Sequence, residues 1–260
     1  MAAVGGAIVL AALALAVVFV GGRAGSASAS GPPTVFAAAS LTEVFPAIDP
    51  GARYSFAGSN TLAEQIRRGA PADVFASAAP AYTQELHDDG LVEEPRLLAL
   101  NRLTVIVPRS NPAGIESVSD LRRAGVKLVI ASAAVPVGGY TRTAFRRLGI
   151  SDALANVVSQ EADVKGVVGK VELGEADAGV VYTTDAHASA SRLRQIAIPE
   201  VAQPAARYEI AVVSSSSDKE AARAFVARVT GPAGRRAMAA AGFRFPAPTP
   251  KLEPKAAIRG

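Results

Sequence analysis

From Thr34 onward the hydrophobic positions fall into two alternating patterns. Short continuous apolar runs read as buried strands, and longer stretches with apolar residues three or four apart read as helices packed on one face. Residues 34–39 predict a first strand and residues 41–48 a short helix. The pairing repeats at Arg53–Ala57 with Asn60–Arg68, and at Asp73–Ser77 with Pro80–Asp88, where Pro sits in the first helical turn. Leu103–Pro108 predicts a strand that ends on proline. A second series follows: helix Val118–Arg123, strand Lys127–Ala131, helices Gly139–Leu148 and Val164–Leu173, and strands Ala178–Tyr182 and Gln195–Ile198. Strand Tyr208–Val213 and two helices, near 218–229 and 232–241, complete the pattern.

Two strand–helix series predict an α/β protein of two lobes, each a mostly parallel sheet flanked by helices. Leu103–Pro108 and Tyr208–Val213 are expected where the chain crosses between lobes. The first lobe is then discontinuous: residues 30–107 and the returning 208–245 enclose a second lobe at 108–207, and 246–260 is a proline-containing tail. Two crossover segments make a hinge, so the lobes can close around a ligand.

The start of the chain follows neither pattern. Val4 to Val20 is almost wholly apolar, and Ala27-Ser28-Ala29 resembles a small-residue cleavage site. Residues 1–29 therefore read as a secretory signal peptide or, left uncut, a membrane anchor. Both readings place the remainder outside the cytoplasm. Composition narrows the function further. The absence of Cys excludes disulfides, thiolate metal ligands, a thiol nucleophile and a lipid-bearing N-terminal Cys. The net charge is only +4, and the Arg pairs (Arg67-Arg68, Arg122-Arg123, Arg146-Arg147, Arg235-Arg236) are scattered near helix ends. A nucleic-acid face needs clustered charge, so no nucleic-acid partner is expected. Scarce aromatics and no Trp argue against a carbohydrate platform.

The candidate chemistry lies where strands feed helices. Val35–Thr42 is an apolar run ending at Ser40, and the run ending at Ala57 leads to Ser59. A serine just before a helix is ordinarily an N-cap. Two of them at strand ends also suit an anion, because the first helical turn carries free N–H groups. Asp163 is a natural cap for a helix beginning at Val164. Val135–Tyr140 reads as a loop entering a helix, and its glycines allow close backbone approach. Tyr182 ends an apolar strand, where a half-buried ring with a wet hydroxyl is the ordinary expectation. His87 and His187 keep open a secreted Ser/His hydrolase, although no G-x-S-x-G, H-E-x-x-H, Walker or G-x-G-x-x-G motif is present.

The segments Phe36-Ala37-Ala38-Ala39-Ser40-Leu41, Phe56 to Ile66 and Gly69 to Ala78 resemble the periplasmic molybdate-binding proteins of ABC transporters. So do Val135-Pro136-Val137-Gly138, Ala162-Asp163-Val164 and Ala178 to Ala186, in the same order. The resemblance implies a type II periplasmic-binding-protein fold, no enzymatic activity and no cofactor. It implies a monomer that captures molybdate or tungstate and delivers it to an ABC permease. Matched motif by motif, the ligand falls on the hydroxyls of Ser40, Ser59 and Tyr182 and the backbone amides of Val137 and Val164. Such a set favours a fully deprotonated dianion: a protonated phosphate brings an O–H that finds no acceptor. Sulfate has the same charge and shape, so only cavity size separates it, and another oxyanion receptor is the alternative within this class. Relative to the family, Pro46 and Asp49-Pro50-Gly51 shorten the first helix, and a truncated helix with the sheet retained is expected.

Overall fold

A computed structural model describes residues 31–246, and the leader and most of the tail lie outside the described residues. Two five-stranded sheets organise it. The first contains β1 (Thr34–Ala38), β2 (Arg53–Ala57), β3 (Val74–Ser77), β4 (Arg96–Asn101) and β10 (Ala206–Val212), in the order β2-β1-β3-β10-β4. The second contains β5 (Leu103–Pro108), β6 (Leu128–Ala131), β7 (Val157–Glu161), β8 (Ala178–Tyr182) and β9 (Leu193–Ala197), in the order β7-β6-β8-β5-β9.

Each sheet is parallel except for one reversed strand. β1 runs parallel to β2 and β3, while β10 is antiparallel to both β3 and β4. In the second sheet β6 is parallel to β7 and β8, and β5 is antiparallel to β8 and β9. The reversed strands are the two expected as crossovers. Each is the fourth strand of its sheet, hydrogen-bonded on both sides. The chain passes from one sheet to the other just before each of them, at Arg102 and between Ile198 and Ala205.

The continuous apolar runs form interior strands because both sheet faces are covered. Val35, Ala37, Val74, Phe75, Val105, Val129 and Val180 are all fully buried. Helices α1 (Val44–Ile48), α2 (Ser59–Arg67), α3 (Pro80–Asp88), α7 (Lys219–Thr230) and α8 (Pro232–Ala240) serve the first sheet. Helices α4 (Pro136–Leu148), α5 (Val164–Glu172) and α6 (Thr183–Ala188) serve the second. The shortened first helix is present as a 3₁₀ turn, Ala39–Leu41, and the five-residue α1, with β1 and β2 intact beside it.

Two strands and one α-helix were not anticipated. β4 runs into the apolar run of β5 with only Arg102 between them, so pattern alone merges them. β7 is an edge strand with no fully buried residue. α6 is only six residues long and has no room for a helical repeat. The expected loop at Val135–Tyr140 is also different: α4 begins at Pro136 and Val135 is its cap. Proline at the first helical position has no N–H to leave unpaired, which suits it to that place.

Candidate functional site

Five strand–helix junctions from the two sheets meet at one cavity, at the C-terminal ends of parallel strands where open α/β sheets bind ligands. β1 supplies Ser40 on the 3₁₀ turn, and β2 supplies Gly58 and Ser59 at the start of α2. Opposite them, α4 presents its first turn with Val137, α5 its first turn with Val164, and β8 ends on Tyr182. Ser40, Ser59, Val137, Val164 and Tyr182 all line this cavity. The cavity is small, and Ala, Gly, Ser and Val make up most of its wall.

Neither serine is a helix cap. Gly58 caps α2, and Ser59 is its first helical residue. Ser59 Oγ accepts from the Ala78 N–H at 3.0 Å, which leaves its own hydrogen free. Ser40 Oγ lies 2.7 Å from the Tyr208 hydroxyl, a contact between residues 168 positions apart. Val137 and Val164 occupy the second and first positions of their helices, where an N–H has no intrahelical acceptor. Tyr182 is 1% exposed, so it is not the half-wet residue its pattern suggests. Its hydroxyl is buried with no hydrogen-bond partner among the described residues. Burial pushes its pKa well above the usual tyrosine value, so it remains a neutral donor.

The lining carries no Lys, Arg or His. Its single acidic residue, Asp163, accepts from Gly166 N–H at 3.0 Å as the cap of α5. The positive character of the cavity therefore comes from helix N-termini and oriented O–H and N–H dipoles.

Two glycines set the approach of these elements. A Cβ on Gly138 would lie 2.0 Å from the Ser132 carbonyl oxygen and 2.4 Å from that of Ala131. Only glycine lets the first turn of α4 sit on the end of β6. A Cβ on Gly58 would lie 2.6 Å from the Ala162 carbonyl oxygen, so the two halves of the site touch at this point. Further contacts join them: the Tyr82 hydroxyl donates to the Ala134 carbonyl, and Tyr140 to that of Ala78.

Beside the cavity, Lys165 Nζ lies 2.8 and 2.9 Å from the two carboxylate oxygens of Glu43, across the cleft. It also lies 3.0 Å from the buried Asp185. Burial pushes the Asp185 carboxyl up to about 6, with Lys165 opposing that rise. Burial likewise opposes the charge on Lys165, yet Asp185 and Glu43 hold its pKa above the ordinary lysine value. This cluster left no sequence signal, because its members are far apart and ordinary in type.

The two histidines lie elsewhere. His87 faces the Val92 carbonyl at 3.2 Å and Glu94 at 3.2 Å, and His187 is exposed on α6. Neither lines the cavity with the serines. Among the described residues no group of three or more His, Asp or Glu could hold a metal ion.

A family profile described as bacterial extracellular solute-binding protein matches residues 31–244. The molybdate-binding protein ModA of Mycobacterium tuberculosis (strain ATCC 25618 / H37Rv) is 38% identical over 255 residues, covering 92% of this chain and 97% of that protein. Among solved structures, the periplasmic molybdate-binding protein of Azotobacter vinelandii superposes with a TM-score of 0.73 at 21% identity, over 83% of this chain and all of that one. The sulfate-binding protein SubI of M. tuberculosis H37Rv superposes with a TM-score of 0.71 at 20% identity, over 83% of this chain and 87% of that one.

Proposed function

Since the chain belongs to the bacterial extracellular solute-binding proteins, we propose that its two lobes close around molybdate or tungstate and deliver it to an ABC permease. It is a transport protein and not an enzyme, and it acts outside the cytoplasm. The ligand is held by the hydroxyls of Ser40, Ser59 and Tyr182 and the amides of Val137 and Val164. One observation carries this reading: neutral donors from both lobes converge on one small cavity with no fixed cation in its wall. Such a site stabilises a complete dianion by hydrogen bonds and helix dipoles, and releasing the ligand leaves no unpaired buried cation behind.

Capture needs the lobes to part, and the crossovers are where they can. The hinge in this proposal is Arg102 together with residues 198–205, which separates one lobe of 31–101 and 206–246 from another of 103–197. Gln203 ties the two crossovers: its side chain accepts from the Leu103 N–H at 2.9 Å and donates to the carbonyls of Leu103 and Ile198 at 2.9 and 3.1 Å. Attachment to the membrane is a matter for residues 1–29. Among the described residues no helix is long and apolar enough to cross a membrane.

Thermal unfolding with molybdate, tungstate, sulfate and phosphate tests the proposal. A ligand at 100 times its dissociation constant adds about 2.7 kcal/mol to the stability of the form that binds it. Stabilisation by molybdate and tungstate is expected, with none from phosphate. A response to sulfate alone would assign the site to sulfate, and no response to any of the four removes the oxyanion reading.

A further inference from the structure

Ser40 can serve a dianion only if its hydrogen points into the cavity, and the serine alone does not determine that. A hydroxyl both donates and accepts, so its direction is set by its neighbours. The neighbour of Ser40 is Tyr208, and behind Tyr208 stands Asn101. We infer that Tyr208 and Asn101 are positioning residues that hold Ser40 as a donor toward the ligand, and that they thereby make the site discriminate against oxyanions that carry a proton. The inference rests on the oxyanion reading above.

The direction of the chain of hydrogen bonds follows from its far end. The backbone N–H of Arg102 can only donate, and it lies 2.9 Å from Asn101 Oδ1. Thr183 Oγ1 donates to the same oxygen at 3.2 Å. The amide oxygen is thereby placed, and Asn101 Nδ2 must face the other way, 3.0 Å from Thr184 Oγ1 and 3.4 Å from the Tyr208 hydroxyl oxygen. An amide nitrogen donates, so Tyr208 accepts from it. The phenolic hydrogen is left to go to Ser40 Oγ at 2.7 Å. Ser40 accepts there, and its own hydrogen remains for the cavity.

The ring of Tyr208 has no freedom to undo this. It is fully buried and meets Tyr182 and Phe243 edge-on, with ring centroids 5.6 and 5.4 Å away. Ser59 is fixed in the same sense by an amide that cannot reverse, the N–H of Ala78. Both serines thus have their acceptor side engaged from behind. At either serine a P–O–H group would meet a hydroxyl hydrogen and not a free acceptor, and a buried donor facing a donor is strongly disfavoured.

The test is a double-mutant cycle on the purified protein, with affinity for molybdate and for inorganic phosphate measured by calorimetric titration. Tyr208→Phe preserves the ring and removes the hydroxyl. It is expected to weaken molybdate binding about tenfold and to narrow the preference for molybdate over phosphate by about tenfold or more, because Ser40 becomes free to accept. In a Ser40→Ala background the same substitution should change neither quantity, since Tyr208 acts through Ser40. Asn101→Ala should shift both quantities in the same direction as Tyr208→Phe, and it provides the same cycle if Tyr208→Phe does not fold. A uniform loss for both anions with the preference unchanged, or an equal effect with and without Ser40, overturns the inference. Failure of the unaltered protein to bind molybdate or tungstate sinks the oxyanion reading and this inference with it.

Discussion

Replacing Tyr182 by Phe separates binding from folding more cleanly than any other change at the site. The Tyr182 hydroxyl is buried and has no hydrogen-bond partner among the described residues. Leaving a buried hydroxyl unpaired costs about 1–3 kcal/mol. Tyr182→Phe removes that group and keeps the ring, with its edge-on contact to Tyr208 at 5.6 Å. The ligand-free protein is therefore expected to be as stable as the unaltered one, or more stable by up to about 1–3 kcal/mol. The lower end applies if the open protein hydrates the hydroxyl. Binding moves the opposite way. A hydrogen bond to a charged group is worth about 1.5–3 kcal/mol, and each 1.36 kcal/mol is tenfold, so molybdate affinity should fall roughly 10- to 150-fold. Denaturant unfolding without ligand gives the first quantity and calorimetric titration the second. A ligand-free variant that is clearly less stable would mean that the hydroxyl has a structural partner. Unchanged affinity would mean that it does not touch the ligand.

Three further substitutions report on other parts of the site. Ser59→Ala should weaken molybdate binding by a similar factor but, unlike Tyr182→Phe, should also cost the ligand-free fold about 1–3 kcal/mol, because Ala78 N–H loses its acceptor; an unchanged denaturation midpoint would contradict this. Gly138→Ala places a methyl group 2.0 Å from the Ser132 carbonyl oxygen, so α4 must shift. A loss of about 1–3 kcal/mol in denaturation, with affinity lost as the Val137 amide moves, is expected, and a neutral result would show that the turn can yield. Asp185→Asn tests the buried cluster. The folded carboxyl is pushed up to about 6 from 3.8, so its proton stabilises the fold below the lower value, and that advantage is lost as pH rises through 6. Between pH 4 and 7 the unfolding free energy of the unaltered protein should fall by up to about 3 kcal/mol relative to Asp185→Asn, and parallel pH profiles would refute the assignment.

Much of this protein was legible along the chain because the relevant signals are local. Continuous runs such as Val35–Ala38 and Ala178–Tyr182 must be buried on both faces, and that alone implies an α/β sheet covered by helices. Proline at Pro80 and the Asp163–Val164 junction mark helix starts by local stereochemistry. Ser40, Ser59, Val137, Val164 and Tyr182 were reached through family motifs lying at such junctions. Their chemistry is generic, and pattern alone would have left the serines as helix caps.

What the tertiary structure decided is what depends on distant neighbours. It set the fourth strand of each sheet as a reversed interior strand, because hydrogen-bond pairing between β10 and β3 is not written in either segment alone. It buried Tyr182 by packing Tyr208 against it. It gave Ser59 a backbone donor in Ala78 and Ser40 a hydroxyl partner 168 residues away. Local sequence dictates where a helix can begin and which residues stand at its first turn. Only the folded chain dictates what stands behind those residues, and a donor is aimed by what stands behind it.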